Sequence, residues 1–545
     1  MRLIHCVPLV FATLSVACAD DATAVPNVDA SAADASATDA TPTKDLVLPD
    51  LGTPDDISAV DASIADAPVP FDDAPAVDVP AAPDVPAAAD APAITDAPVV
   101  IDAPAVTDVP VATDVPAVLD APVVTDVPAV TDVPVAADAH PAVDGGVPSG
   151  IQHVVVIVQE NHTFDAYFGR YCTAATGSNP TCTDGPACCE AAPAHEPSGA
   201  APTDLTDSAN ANYDPNHGSS CEASEMNGGR MDRYVRGASC SDSRNFAVAA
   251  PAAVDTYHHY AQQYAMADRY FQPIIGATAA NDMYLAVARE VFQDNNVGPR
   301  SISQLCGFFA SRNQYTDATV ADVVLGAGHS FAHYSEGYAA ARRASPFCAS
   351  VPSDCPAGRP FYPCSYDPSD TPFQYYQRFT DNPTYIKDYA DFTADVTAGR
   401  LPDVAYVKGL GYHTEHPGSS TTVRAGMMFV DGIVQRILGS PIYGQNTLIL
   451  VTWDEGGGFF DHVTPPATSA ADHQDYGTRV PLLAIGRFAR RNFVSHVTLE
   501  HSSIVRFLEW NFTGSTGQLH ARDALVNNLG SLLDPAQTGV PVPAN

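Results

Sequence analysis

The chain has 545 residues and a formal net charge of −38 at neutral pH. Residues 19–144 hold 25 aspartates against one lysine, so most of this acidity belongs to one segment. Because nucleic-acid binding requires a basic surface that neutralises phosphates, the composition argues against a nucleic-acid partner. Residues 145–545 are only mildly acidic and are long enough for one large domain.

Residues 1–18 have the pattern of a signal peptide. One basic residue, Arg2, precedes an apolar stretch that is too short for a stable transmembrane span. The sequence LSVAC at 14–18 resembles a bacterial lipobox, although its leucine lies four residues before Cys18 rather than three. We therefore predict an exported lipoprotein of the outer membrane or cell surface, whose only membrane attachment is lipidated Cys18. If Cys18 is not lipidated, the protein is secreted.

Residues 19–148 form an acidic segment of low complexity. Between about residues 90 and 140, Asp and Pro each recur every six residues, in units such as TDVPAV. Regular proline interrupts helices and removes sheet donors, and regular negative charge with few aromatics prevents a core. We predict a disordered, extended stalk that rises about 3 Å per residue. A hexapeptide-repeat solenoid is the alternative, and Pro and Asp in every unit argue against it.

Ten cysteines follow the stalk, clustered in residues 172–240 and 306–364. An even number in an exported chain predicts disulfides, but the spacing does not determine their connectivity. The cysteines contain no CxxC pair, which argues against a zinc ribbon. We interpret both segments as loop-rich insertions in a domain that spans 149–545.

Within this domain, apolar β-branched runs predict buried strands at 153–159, 404–409, 446–453 and 480–486. Helical patterns occur at 255–268, 422–438 and 499–511, the last with Ser502 or Ser503 as N-cap. Strands that are apolar on both faces are typical of parallel sheets covered by helices. The pattern predicts an α/β fold with a mostly parallel central sheet sandwiched by helices.

Two of the predicted strands end in oxygen-bearing side chains. Glu160 and Asn161 follow one strand, and Asp454 and Glu455 follow another. If these strands are neighbours, the four side chains converge at the sheet edge where ligands bind in such folds. The carboxylates would repel one another there, and a divalent cation would remove that repulsion. For Asp454 and Glu455 taken alone, an ordinary solvated turn is the alternative.

Several ordered segments resemble the bacterial phosphoesterase family, which includes phospholipases C and acid phosphatases and is related to the alkaline-phosphatase superfamily. They are QENHTFDAYFG (159–169), YAMADRYFQPIIGATAANDMY (264–284), EHPGSS (415–420), SPIYGQNTLILVTWDEGGGFFDHVTPP (440–466), GTRVPLLAIG (477–486) and HSSIVRFLEWNF (501–512). The resemblance spans about 150–535 and implies an alkaline-phosphatase-like catalytic domain. It also implies phosphate-ester substrates, phospholipid head groups among them.

The resemblance implies roles for individual residues. The positions that match metal ligands are Glu160, Asn161, Asp454 and Glu455. Thr278 matches the nucleophile, which also touches the metal, and Asn281 matches an asparagine beside the phosphate. One divalent ion is implied, and oxygen-rich ligands leave Ca²⁺, Mg²⁺, Mn²⁺ and Zn²⁺ all open. Metal coordination would lower the pKa of a threonine hydroxyl, which is otherwise a weak nucleophile.

Three histidines belong to the same resemblance. His416 and His217 match phosphate-contacting positions. His462 lies beside Asp461 in the DH part of the signature, and contact with substrate and orientation of the loop are both open for this pair. Glycines 456–458 are expected to let the backbone pass close to the phosphate.

The chain departs from the family pattern at Ala280 and Asp282, where Pro and Arg are usual. Loss of that Arg either removes a cation near the site or changes substrate selection. The expected activity is phospholipase C-like cleavage of phosphodiesters, with acid phosphatase activity on monoesters as the alternative. A non-catalytic stalked surface protein is the alternative from another class, and the retained ligand and nucleophile positions argue against it. Transfer to an acceptor other than water stays open.

Overall fold

The computed structural model describes residues 149–303, 305–306, 309–359 and 361–544. The predicted signal peptide, Cys18 and the predicted stalk at 19–148 lie outside these residues. No helix in the described ranges is both long and apolar enough to cross a membrane.

The strands are β1 (His153–Gln159), β2 (Thr203–Leu205), β3 (Ala247–Ala249), β4 (Ala265–Ala267), β5 (Tyr270–Phe271), β6 (Val297–Pro299), β7 (Ser311–Asn313), β8 (Phe331–Ser335), β9 (Ile386–Asp388), β10 (Val404–Lys408), β11 (Thr447–Trp453), β12 (Leu482–Ile485), β13 (Phe493–Ser495) and β14 (Leu499–Glu500). The helices are α1 (Phe164–Phe168), α2 (Asp207–Asn212), α3 (Ser219–Met226), α4 (Asp255–Gln263), α5 (Thr278–Val287), α6 (Val320–Gly326), α7 (Tyr338–Ala344), α8 (Tyr389–Thr397), α9 (Val423–Leu438), α10 (His501–Thr513) and α11 (Pro535–Thr538).

In the described part of the chain, the central sheet has eight strands in the order β13-β4-β12-β11-β1-β10-β8-β9. Neighbouring strands are parallel except for the two pairs that include β12. Helices α4 and α9 pack together on the sheet, and α5, α6 and α10 form a second packed group. The predicted α/β fold with a mostly parallel sheet flanked by helices is therefore confirmed.

The strand predicted at 480–486 exists as β12, but it is antiparallel to both neighbours. All four of its residues are buried. An apolar run predicts that both faces of a strand are covered, and this holds for parallel and antiparallel neighbours alike. The sequence pattern therefore could not reveal the direction of β12.

Two helix predictions need correction. The helix predicted at 255–268 ends at Gln263, because the next residues form β4 and pair with β12 and β13. The helix predicted at 499–511 begins at His501. Its N-cap is Glu500, whose carboxylate accepts from Ser502 N, while Ser503 Oγ accepts from Glu500 N at 3.1 Å. Tertiary strand pairing overrides the helical pattern in both places.

Five disulfides join the ten cysteines of the described residues, which confirms that these cysteines pair. The pairs are Cys172–Cys189, Cys182–Cys188, Cys221–Cys240, Cys306–Cys348 and Cys355–Cys364. Each disulfide closes within one of the two predicted insertions, so no disulfide joins one segment to the other. The segment 306–364 is not an insertion throughout, however, because it contains β8 of the central sheet.

Candidate active site

The candidate site lies where β1 and β11 end. These strands are adjacent and parallel, with Gln159 opposite Trp453, so the chain leaves both at one edge of the sheet. Asn161 N donates to Asp454 Oδ1 at 3.0 Å, and Glu455 N donates to the same oxygen at 2.7 Å. The structure thus brings the residues that follow the two strands into direct contact. We call the group Asn161, Thr278, Asp454 and Glu455 the strand-edge site.

Gly457 makes this contact sterically feasible. A Cβ placed on Gly457 would lie 2.4 Å from Asn161 Cβ and 2.6 Å from Asn161 O, and the φ of Gly457 is +61°. Asn161 itself has a φ of +64°, a conformation that asparagine tolerates better than most residues. The glycine-rich loop after β11 can therefore press against Asn161 and hold it beside Asp454.

Thr278 enters the site from helix α5, of which it is the first residue. Its Oγ1 donates to Glu455 Oε1 at 3.1 Å, and only 3 % of the residue is exposed. Asn281 braces the turn that precedes Thr278. Its amide accepts from Ile274 N at 3.2 Å and donates to Gly276 O at 2.7 Å. These contacts help to position the nucleophile candidate, and a place for Asn281 beside the phosphate stays a prediction.

The strand-edge site brings two buried carboxyl groups together. Burial raises the pKa of Asp454 to about 6, and burial together with the Asp454 charge raises the pKa of Glu455 well above its ordinary value. Among the described residues, Glu455 Oε2 has no hydrogen-bond partner although it is buried. An oxygen-lined, electron-rich site with a free buried carboxylate oxygen fits a hard divalent cation.

Glu160 lies at the same edge but already has partners. Its Oε1 is 2.9 Å from Lys408 Nζ, and its Oε2 accepts from Tyr362 Oη at 3.0 Å. Burial opposes ionisation of Glu160, but the Lys408 charge together with the hydrogen bonds from Lys408 and Tyr362 and the other nearby groups holds the pKa below its usual range. Lys408 is a site residue that the sequence analysis missed, and its signal was a lone cation at the end of the apolar run VAYVK.

Asp282 lies one helical turn after Thr278, on the same face of α5. It is 1 % exposed, and neither carboxylate oxygen has a hydrogen-bond partner within the described ranges. Burial raises its pKa well above the ordinary value, although the Lys408 charge opposes the shift. The family pattern has Arg at the position of Asp282, so this chain has a buried acid where a cation is usual. The nearby cation comes instead from Lys408 of β10.

His217 and His416 both lie beside Asn161. Their Nε2 atoms are 3.3 Å and 3.0 Å from the same end of the Asn161 amide, and the ring centroids are 5.6 Å apart. Burial lowers the pKa of His217 below its ordinary value. The structure therefore places both predicted phosphate-contacting histidines next to a predicted metal ligand.

His462 belongs to a different cluster, which we call the charge network: Asp165, Glu190, Asp461, His462 and Arg479. His462 Nδ1 is 2.8 Å from Asp165 Oδ2, and its Nε2 is 2.9 Å from Glu190 Oε2. Arg479 Nε donates to Asp461 Oδ1 at 2.8 Å, and its Nη2 donates to Asp165 Oδ1 at 3.0 Å. Because both ring nitrogens of His462 are engaged, the contacts favour orientation of the loop over contact with substrate.

Glu415, next to His416, is enclosed by aromatic donors. Its Oε2 accepts from Tyr167 Oη at 2.7 Å and from Trp453 Nε1 at 3.1 Å, and its Oε1 accepts from Tyr257 Oη. Burial raises its pKa to about 7 against these hydrogen bonds, which favour the ionised form. Glu415 anchors the loop that carries His416.

Comparison with known proteins agrees with the family resemblance. The Phosphoesterase family matches residues 151–513. Phospholipase C B of Mycobacterium tuberculosis is 32 % identical over 176 residues, which cover 28 % of this chain and 33 % of that protein. Hemolytic phospholipase C of Pseudomonas aeruginosa is 24 % identical over 451 residues, covering 72 % and 57 %.

The chain thus spans about a third of the length of the Mycobacterium relative that it matches. A solved structure of a protein in the alkaline phosphatase superfamily from Vibrio parahaemolyticus is similar over 49 % of this chain and 63 % of that one. The two are 13 % identical, with a TM-score of 0.29.

Proposed function

Because this chain belongs to the phosphoesterase family, we propose that it hydrolyses phosphoric esters, with Thr278 as nucleophile and one divalent metal ion. The observation that carries the proposal is the 3.1 Å contact between Thr278 Oγ1 and Glu455 Oε1, beside the Asn161–Asp454 pair. A buried hydroxyl within hydrogen-bond reach of a buried carboxyl group is placed for activation as a nucleophile.

Asn161, Asp454 and Glu455 would hold the ion, with Thr278 and Glu160 at its margin. When bound, the ion supplies positive charge to the phosphoryl oxygens and makes the threonine hydroxyl more acidic. Glu455 Oε2 has no hydrogen-bond partner in the part of the chain that the structure describes, and this free oxygen supports the assignment. Since all these ligands are oxygens, Ca²⁺, Mg²⁺, Mn²⁺ and Zn²⁺ are the candidates.

Residues of the chain would supply proton transfer, substrate binding and positioning of the nucleophile. Glu455 Oε1 is placed to accept the Thr278 proton as Oγ1 attacks phosphorus and the bond from phosphorus to the leaving alkoxide breaks. The alkoxide takes up a proton from solvent, and a water molecule then releases the phosphoryl group from Thr278. The N-terminus of α5 directs its positive dipole end at the same point, which favours an anionic substrate. Asn281 keeps the preceding turn in place, so that Thr278 is positioned before the substrate binds. Positioning and electrostatic stabilisation supply most of the catalysis in phosphoryl transfer.

We propose phosphodiesters of the phospholipid type as substrates, because curated relatives are phospholipases C. Phosphomonoesters are the alternative. Five disulfides support a protein that works outside the cytoplasm. Attachment through a lipidated Cys18 stays a prediction.

The test compares p-nitrophenyl phosphorylcholine with p-nitrophenyl phosphate, using purified protein with its disulfides formed. We expect chelator-sensitive turnover that Thr278→Ala lowers by at least about 10³-fold, whereas Thr278→Ser keeps a hydroxyl and most of the activity. The preferred substrate separates phospholipase C from phosphatase activity.

Absence of turnover of either ester, with each of the four ions added between pH 4 and 9, would overturn the proposal. That result would favour the non-catalytic surface protein. Full activity of Thr278→Ala would overturn the assignment of the nucleophile alone.

A further inference from the structure

Gln272 lies between two segments of the strand-edge site. It directly follows β5, is 0 % exposed, and precedes the turn at 273–277 that leads to Thr278, which we call the nucleophile turn. Its Oε1 accepts from Gly456 N at 2.7 Å, and its Nε2 donates to Ile274 O at 3.0 Å. A backbone N–H can only donate and a carbonyl oxygen can only accept, so these two contacts determine the orientation of the amide.

The two contacts of this amide belong to different parts of the site. Ile274 is in the nucleophile turn, and Gly456 directly follows Glu455 in the loop after β11. One buried side chain thus joins the segment that carries Thr278 to the segment that carries its carboxyl partner. The separation of these partners is 3.1 Å, between Thr278 Oγ1 and Glu455 Oε1.

The connection continues into helix α5. Ile274 N donates to Asn281 Oδ1 at 3.2 Å, while Ile274 O accepts from Gln272. A chain of hydrogen bonds therefore runs from Asn281, on the helix of Thr278, through Ile274 and Gln272 to Gly456. On the other side of the same turn, Glu222 Oε2 accepts from Gly276 N at 3.2 Å. The nucleophile turn is thus held from several directions before any substrate binds.

Close packing keeps the Gln272 amide in this place. A Cβ on Gly477 would lie 2.2 Å from Gln272 Cδ, and a Cβ on Gly456 would lie 3.3 Å from its Oε1. Thr478 Oγ1 donates a further hydrogen bond to Oε1 at 3.1 Å. The backbone of Gln272 is also bound, because its N donates to Thr478 O at 3.0 Å and its O accepts from Gly477 N at 3.1 Å. Glycine at 456 and 477 therefore leaves the space that the amide fills.

We propose that Gln272 is a positioning residue that holds Thr278 Oγ1 against Glu455 by joining the nucleophile turn to the loop after β11. The role is indirect, since the amide acts through Ile274 and Gly456. The inference rests on the proposed function, because it concerns the geometry of the same reaction. Misplacement of a reacting group by about 1 Å costs about 10²-fold in rate, which sets the size of the expected effect.

The test replaces the amide with apolar side chains of similar size, in Gln272→Leu and Gln272→Met. Turnover of the p-nitrophenyl ester that the wild type prefers is measured in metal-loaded full-length protein. We expect kcat to fall by about 10–100-fold while KM stays within about 3-fold, because the groups proposed to contact substrate and metal remain. Calorimetric titration of the preferred ion counts the folded sites, and kcat is expressed per ion-binding site, so that partial misfolding does not imitate the effect.

Gln374→Leu is the matched control. Gln374 is also a glutamine with 0 % exposure, and its amide donates to Tyr366 Oη at 3.0 Å and accepts from Asp381 N at 2.8 Å. This variant loses buried hydrogen bonds of the same kind away from the strand-edge site. Its kcat per ion-binding site should equal that of the wild type. Equal losses of kcat in the Gln272 and Gln374 variants would overturn the positioning role and leave a purely structural one.

A second measurement uses the wild type alone and does not depend on the folding of any variant. The Gly456 amide hydrogen should exchange slowly in chelator-treated protein, because it is bonded to a buried oxygen of Gln272. Exchange at the rate of an unstructured peptide would overturn the inference, since the link between the two segments would then be open in the free enzyme.

These failures differ from failure of the proposed function. If the wild type hydrolyses an ester and the Gln272 variants keep its kcat, the positioning role alone is wrong. If the wild type hydrolyses neither ester with any of the four ions, the proposed function is wrong, and the positioning role falls with it.

Discussion

The strand-edge site and the charge network are both built partly from one short loop, and they differ in how their buried charges are satisfied. The loop contributes Asp454 and Glu455 to the first and Asp461 and His462 to the second. In the charge network, Arg479 and His462 neutralise the carboxylates at 2.8–3.0 Å. In the strand-edge site, Glu455 Oε2 has no hydrogen-bond partner among the described residues.

The difference separates two uses of buried charge. A network in which each charge is paired holds a loop in place and gains little from a ligand. Buried carboxylates without partners cost free energy in the empty protein and are typical of sites that bind a charged group. The clearest test of this difference is to replace one ionisable residue in each cluster and to compare the effects on activity and stability.

The largest effect is expected for Glu455→Gln in the strand-edge site. We expect at least about a 10³-fold loss of turnover, because the carboxylate contacts the nucleophile and borders the ion. The metal-free variant should unfold with nearly the wild-type free energy, because the raised pKa keeps Glu455 uncharged without the ion and glutamine is a neutral group of similar shape. Activity assays and denaturant unfolding in chelator measure the two effects. A less stable metal-free variant would contradict this view of the site.

Arg479→Leu should have the next largest effect, which is a lower free energy of unfolding. It leaves Asp165 and Asp461 with only His462 as a buried cationic partner, so we expect a loss of about 3–5 kcal/mol. Denaturant unfolding measures the loss. Arg487→Leu removes an exposed arginine and is the control, with an expected change within about 0.5 kcal/mol.

The double variant Arg479→Leu/Asp461→Leu sharpens this test. Removal of both partners should restore part of the lost stability, because a carboxylate is no longer buried without a cation. Equal losses in the single and double variants would show that packing, not charge pairing, dominates at this position.

The smallest effect concerns pH. The pKa of Glu415 is about 7 in the folded protein and 4.5 as the ordinary value, so the folded state holds the extra proton between these limits. The free energy of unfolding should therefore fall as pH rises from about 4.5 to 7, by at most about 3.4 kcal/mol, and this contribution is constant above pH 7.

Glu415→Gln should lack this part of the pH dependence. Glu222 and Glu225, whose pKa values burial raises to about 8 and about 9, should extend the decline to higher pH in both proteins. Unfolding measured at several pH values in chelator provides the comparison. Identical slopes below pH 7 in wild type and Glu415→Gln would contradict the raised pKa.

Much of the sheet was predictable because its central strands are continuous apolar runs. The runs that form β1, β10 and β11 are buried except for His153 at the start of β1, and an apolar run predicts burial. The pattern did not predict that β12 is antiparallel to its neighbours. It also predicted a helix that continues into the residues of β4, whereas α4 ends at Gln263. Both errors arise because hydrogen bonds to distant strands decide these local structures.

For the site, the sequence by itself determined which oxygen-bearing residues end the strands, and the motif order pointed to Thr278, Asn281 and the histidines. Only the tertiary structure decided which of these meet. It brought Thr278 onto Glu455, and it directed Asn281 to its own turn and His462 to the charge network.

Lys408 illustrates the reason. Its sequence signal is one cation at the end of an apolar run. Its role depends on the Glu160 carboxylate, which is remote in sequence, follows the neighbouring strand and lies 2.9 Å from Lys408 Nζ. Local sequence encodes propensity and burial, which are properties of one segment. Charge pairing, tautomers and amide orientation depend on the groups that face a residue across the fold, and folding alone brings those groups together.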